Sequence, residues 1–246
     1  MTIRDRFLPL CLAAALLAAP ACQTSKPVAA QPEQVSSKAS NPAPGKYITP
    51  ADLDFRSLLP DPPAPGSAIS QGEIEIVLAA QADASPQSRA RAEEEEDMKF
   101  WLFADVLGPS FNAEQMPKTA ALIKQIERDS KAISDEAKKI WKRPRPFVQD
   151  SRIALNSKKP GENSYPSGHA TRGTAWTETL CILAPDRAEA IQARGRLIGF
   201  DRLILGVHFP SDVAAGNALG KAIVEKMKQS PAFQQDLEAA RVEWAR

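Results

Sequence analysis

Three segments of the 246-residue chain concentrate the side chains that could do chemistry. The first, KKIWKRPRP from Lys138 to Pro146, sets Lys138, Lys139, Lys142, Arg143 and Arg145 within eight residues. Lys138 and Arg145 are seven apart, about two helical turns, so they tend to one face. The second, YPSGH from Tyr165 to His169, opens a helix with a Pro-Ser-Gly turn. Free backbone N–H groups at such a start point at whatever sits in front of them, and an anion suits them best. The third, DRLILGVHFPSD from Asp201 to Asp212, places Arg202 six residues before His208 and Asp212 four after it. His169 and His208 are the chain's 2 histidines, so any imidazole chemistry uses these two and a three-histidine metal site is excluded. The 3 cysteines, at 11, 22 and 181, do not make a zinc site or a disulfide framework. Singly, each segment also has a structural reading. A basic cluster at a helix C-terminus complements the dipole, a Pro-Ser-Gly turn is a plain cap, and one His among apolar residues is a satisfied core group.

The elements that must hold these segments read as helices. Ser70 with Glu73 predicts a capping box for a helix through about Ala82. A second helix is expected from about Gln87 to Val106, with the acid run Glu93 to Asp97 as a solvated face. Leu122, Ile126, Ile133, Ala137, Ile140 and Trp141 recur at helical spacing between Pro117 and Lys142, and Pro144 and Pro146 stop that helix. Another helix starts near Ser167 and carries Trp176, Leu180 and Ile182. Pro185 suits the first turn of the next, through Ile191, Leu197 and Ile204. A last core helix begins at Ser211 and buries Val213, Ile223, Val224 and Met227. No period-2 run appears, so the fold class is all-α, a single helical-bundle domain over residues 67–246.

Ahead of it, Arg4 and Arg6, the apolar run Phe7–Ala19 and Ala19-Pro20-Ala21 predict a signal peptide over residues 1–21. Export to the periplasm follows, and Cys22 leaves a lipid anchor open. Residues 22–66 hold few large apolar side chains, and 11 of the chain's 21 prolines precede residue 67. They read as a Pro/Ala-rich linker whose end, Leu58 to Pro65, is a polyproline-like lead-in across the domain. No later segment is apolar enough for a transmembrane domain. Hydrophobic residues make up 43% and charged residues 25%. Lys plus Arg numbers 31 against 30 for Asp plus Glu, a formal charge of +1 that argues against a nucleic-acid partner.

Taken together, Lys138-x6-Arg145-Pro146, Pro166-Ser167-Gly168-His169 and Arg202-x5-His208-x3-Asp212 resemble the three-part signature of the type 2 phosphatidic-acid phosphatase superfamily. The branch it looks most like is the bacterial class A non-specific acid phosphatases, which are secreted and all-α. The spacers fit, with 19 residues between the first two segments and 31 between His169 and Asp201. The resemblance implies hydrolysis of small phosphate monoesters without a metal or other cofactor. It assigns phosphate contacts to Lys138, Arg145, Ser167, Gly168 and Arg202, nucleophilic attack to His208 held by Asp212, and acid–base work to His169. Lys139 and Arg143 match no position of the signature and read as solvated neighbours. The third motif usually opens Ser-Arg, whereas this chain has Asp201-Arg202, so Asp201 is expected to turn away or pair with a cation. A vanadium-dependent haloperoxidase shares the motifs but is longer, and a non-catalytic exported phosphate-binding protein would not need both histidines. The sequence leaves a homo-oligomer open.

Overall fold

The computed structural model describes residues 44–245 apart from 159 and 162. The expected signal peptide, Cys22 and the first part of the linker lie outside the described residues. The rest is helical, with no strand among the described residues. Among the described residues, seven helices exceed eight residues: α1 Ala68–Ala82, α2 Pro86–Glu94, α3 Pro117–Trp141, α4 Gly168–Leu183, α5 Ala188–Ile204, α6 Pro210–Met227 and α7 Pro231–Trp244.

Helix α4 is the central post, packed against α6, α5 and α3. Its Trp176 and Leu180 meet Ile126 and Ile133 of α3, Ile198 of α5, and Leu219 and Ile223 of α6 in one buried core. Each such side chain contributes roughly 1.5–3 kcal/mol on leaving water. The α4–α6 approach depends on Gly216 and Gly220. A Cβ added there would stand 2.5 Å from the Ser167 and Thr171 carbonyl oxygens. Backbone contact at that range brings the two helix starts together, and Ser167 N donates to Asp212 O at 2.9 Å. The second and third sequence segments are thus tied to one another.

Helix α3 begins with Pro117 and is capped from outside by Glu243 of α7, whose carboxylate accepts from Lys118 N and Thr119 N at 2.8 Å. It ends at Lys142 in the left-handed region, and Pro144 and Pro146 lead the chain onward. Lys138 therefore sits in the last helical turn and Arg145 on the segment that follows.

Several expectations are corrected. Ser67, not Ser70, caps α1, its Oγ accepting from Ser70 N at 3.2 Å, and Glu73 is buried rather than part of a capping box. The expected helix 87–106 breaks after Glu94 and resumes only as the short turns Phe100–Phe103 and Ala104–Leu107. The break lets Phe100 and Phe103 enter the core. Helix α7 was not anticipated from the sequence; it buries Phe233, Leu237 and Ala240. The packed domain also reaches back past residue 67, because Tyr47, Ile48, Phe55 and Leu59 belong to the main core. The proline-rich segment contacts the helical core at two points. Tyr165 Oη donates to Pro60 O at 2.5 Å and Trp141 Nε1 to Asp61 Oδ1 at 2.6 Å.

Candidate active site

The three sequence segments converge on one cleft lined by Lys138, Arg145, Gly168, His169, Arg202 and His208. Lys138 Nζ donates to the carbonyls of Asn163 and Pro166 at 2.7 and 2.8 Å, which steers the amine toward the start of α4. Arg145 donates to Val207 O at 2.5 Å and to Asn163 O at 3.3 Å. Arg202 is 1% exposed; its Nη2 donates to Ala92 O at 3.0 Å, and its Nε has no partner among the described residues. Burial holds its guanidinium below the usual range, against the opposing pull of Glu95 and Asp201. A buried, unsatisfied N–H beside a cleft is costly when empty and is relieved by an anion's oxygen. Ser167 is fully buried as the N-cap of α4, its Oγ accepting from Ala170 N at 3.3 Å, and it stands behind the cleft that Gly168 lines.

The histidine partners fix their tautomers. His208 Nδ1 is 3.4 Å from Asp212 Oδ2, and its Nε2 is 3.3 Å from Arg145 Nη1. An ionised carboxylate only accepts and a guanidinium only donates. His208 therefore carries its proton on Nδ1, leaving the Nε2 lone pair on the cationic side. His169 has the reverse arrangement, with Nε2 3.2 Å from Glu96 O and Nδ1 3.4 Å from Arg172 Nη2. Both rings are held neutral. Burial first, then Arg145 and Lys138, push His208 down to about 3 against the pull of Asp212. Burial, then Arg202 and Arg172, push His169 well below the ordinary histidine range. Burial raises the Asp212 carboxyl, but contacts with His208, Arg143 and Ser164 outweigh it and leave a net lowering.

Asp201 pairs with a cation, Arg91 of α2, whose Nε and Nη2 donate to its two carboxylate oxygens at 2.8 Å each. Lys139 is exposed and bonded to Glu136. The reading of Arg143 as solvated is corrected: it is 5% exposed and donates to Asp212 Oδ1 and Glu73 Oε2, both at 2.6 Å. A residue flanked so closely by prolines is outside the helix, so the dipole argument never applied to it. The acid run is also only partly a solvated face. Glu95 is buried against Arg194 at 2.5 Å, and the Glu96 carbonyl holds His169. Ser164, which donates to Asp212 Oδ2, and Glu96 had no signal in the sequence.

This constellation lies within a stretch that is similar to a known family: residues 126–231 match the PAP2 superfamily. An acid phosphatase of Zymomonas mobilis is 35% identical over 145 residues, covering 57% of this chain and 55% of that one. A non-specific acid phosphatase of Salmonella typhimurium is 32% identical over 147 residues, covering 58% and 59%. The chain thus spans less than two thirds of the length of these relatives. A non-specific acid phosphatase of Providencia stuartii is 27% identical over 203 residues, covering 79% and 82%. Among solved structures, a transmembrane PAP2 type phosphatidylglycerolphosphate phosphatase from Bacillus subtilis superposes with a TM-score of 0.49 at 19% identity, over 66% of this chain and 85% of that one. Among the described residues, no helix is long and apolar enough to cross a membrane.

Proposed function

We propose that this protein is an exported acid phosphatase that hydrolyses small phosphate monoesters, without a metal, through a phosphohistidine on His208. The observation that carries the reading is the fixed His208 tautomer, with its Nδ1 proton toward Asp212 and its Nε2 lone pair facing Arg145. A ring nitrogen attacks only when neutral, and this ring is neutral.

Lys138, Arg145 and Arg202, with the Gly168 N–H, would hold the phosphoryl oxygens. Phosphoryl transfer passes through a loose transition state with charge spread over those oxygens, so fixed positive charge does most of the work. Nε2 forms a bond to phosphorus as the ester oxygen leaves with its electron pair. His169 would give that oxygen a proton and later take one from the attacking water. Its low proton affinity comes first from burial and then from Arg202 and Arg172, and a bound dianion would offset the two arginines. Ser167, engaged in the α4 cap, supports the turn that carries Gly168.

The test is phosphate release from p-nitrophenyl phosphate by the purified chain, before and after EDTA and desalting. Retained activity is expected, together with inhibition by orthovanadate, which mimics five-coordinate phosphorus. Full loss restored by zinc or magnesium would refute metal independence. Labelled phosphate trapped in alkali should be recovered on His208.

A further inference from the structure

The side of Asp212 away from His208 is occupied by a buried ion cluster that no sequence motif announces. Arg143 bridges two carboxylates, Asp212 of α6 and Glu73 of α1, at 2.6 Å each. The side chains of all three are no more than 6% exposed. Glu73 is held in turn by Ser211 N at 2.7 Å, and the guanidinium lies 4.1 Å over the Phe209 ring. Phe209 N donates to Asp212 Oδ2 at 2.8 Å, so the residue that follows His208 is tied into the cluster as well.

The charge count gives the cluster a role. Arg143 alone would neutralise Asp212. With Glu73 sharing the guanidinium, the three groups sum to one negative charge, and the exit toward His208 is Asp212 Oδ2. The cations acting most strongly on the ring are Arg145, from the segment after α3, and Lys138 of α3, with neutral His169 of α4 nearby; Arg202, Glu96, Asp97 and Asp135 line the same cleft. A ring that bonds phosphorus through Nε2 while keeping its Nδ1 proton becomes a cation. In that surrounding, Asp212 is the anion in contact with the ring and so placed to stabilise it.

We infer that Arg143 and Glu73 are positioning residues for the attack step: they aim Asp212 and preserve its charge, and through it they favour the cationic phosphohistidine. The inference rests on the phosphohistidine reading above. Because neither residue meets the cleft, both should affect turnover more than binding.

Glu73→Gln and Arg143→Lys, each made in the wild-type and Asp212→Asn backgrounds, test this with p-nitrophenyl phosphate. Lysine keeps the charge of Arg143 but cannot bridge two carboxylates with a planar fork. Each single variant should lose about tenfold or more in kcat, while KM and vanadate inhibition move less than about threefold. In the Asp212→Asn background the same changes should cost less than about threefold, since residues acting through one group are not additive. Additive losses, or an effect confined to KM, would overturn the inference. Thermal melts identify a variant that fails to fold, and the other then decides. Alkaline-trapped labelling separates the two possible failures. Wild type without label on His208 removes the phosphohistidine reading, whereas normal labelling at an unchanged rate in Glu73→Gln overturns this inference alone.

Discussion

Arg91→Ala isolates what it costs to have Asp201 where the signature that this chain resembles has Ser, and how the fold absorbs it. Asp201 has no exposed side-chain surface, and Arg91 is its bidentate partner. Removing one member of a buried ion pair costs about 3–5 kcal/mol, because the other charge stays buried without compensation. The Arg91 side chain is 31% exposed, so water can enter the vacated space. That favours the lower end, about 3 kcal/mol. For a domain of this size each kcal/mol is worth about 2–4 °C, so Tm should drop by about 6–12 °C. Asp201→Ser installs the residue the signature usually carries and removes the stranded charge. Arg91→Ala/Asp201→Ser should therefore recover most of the loss. Calorimetry or a dye-monitored melt measures both. The single variant should also raise KM, because a carboxylate freed beside Arg202 competes with phosphate for that cation. A single variant within about 1 kcal/mol of wild type, or a double variant no better than the single, would refute the reasoning.

Other consequences are as direct. Arg145→Ala or Arg202→Ala removes fixed charge from a water-poor site and should lower kcat on the order of 10²–10³-fold, while exposed Lys139→Ala should change little. Equal effects at Lys139 and Lys138 would mean that the cradle is misassigned. Holding His208 near 3 when an unfolded histidine titrates near 6.5 makes the unfolded chain bind the extra proton, so the associated stability is present above pH 6.5 and lost as pH falls toward 3. Relative to His208→Gln, wild type should lose about 2 kcal/mol between pH 7 and pH 5, read from paired melts, and phosphate should restore part of it. His208→Ala should be inactive on every ester. His169→Ala should retain more first-step activity on p-nitrophenyl phosphate, whose leaving group has a pKa near ~7, than on an alkyl phosphate. A phosphate label on His169 instead of His208 would reverse the assignment.

Which features were legible from the sequence follows from the range of the forces that make them. Helices α3 to α6 were legible because their apolar periodicity and their Pro or Ser starts are local facts of the chain. The cleft residues were legible because the motif resemblance carries their spacing with it. Helix α7 was not, since Phe233, Leu237 and Ala240 make a sparse apolar face that gains meaning only against α3. Arg143, Glu73 and Arg91 were illegible for a stronger reason. Their partners stand 69, 70 and 110 residues away, and a charged side chain looks the same in sequence whether it is solvated or paired in a core. Burying such charges is unfavourable unless the partner is in place, so only the tertiary fold could reveal them.

The two histidines carry the last step. They are equals in the sequence, each next to a helix start and each near an arginine. The fold makes them opposites by giving one a carboxylate and the other a carbonyl. A full negative charge facing Nδ1 stabilises a ring that becomes cationic, which is the need of a nucleophile. A carbonyl dipole, set against burial and then Arg202 and Arg172, leaves a ring that gives up its proton readily once it has one. On the proposed route that proton is taken up from solvent as the substrate binds, because the phosphoryl dianion offsets the two arginines that act with burial to disfavour it. On that route the cations that bind the ester would also time the acid, and the charge that the leaving oxygen must lose would be matched by a proton held only while the ester is bound.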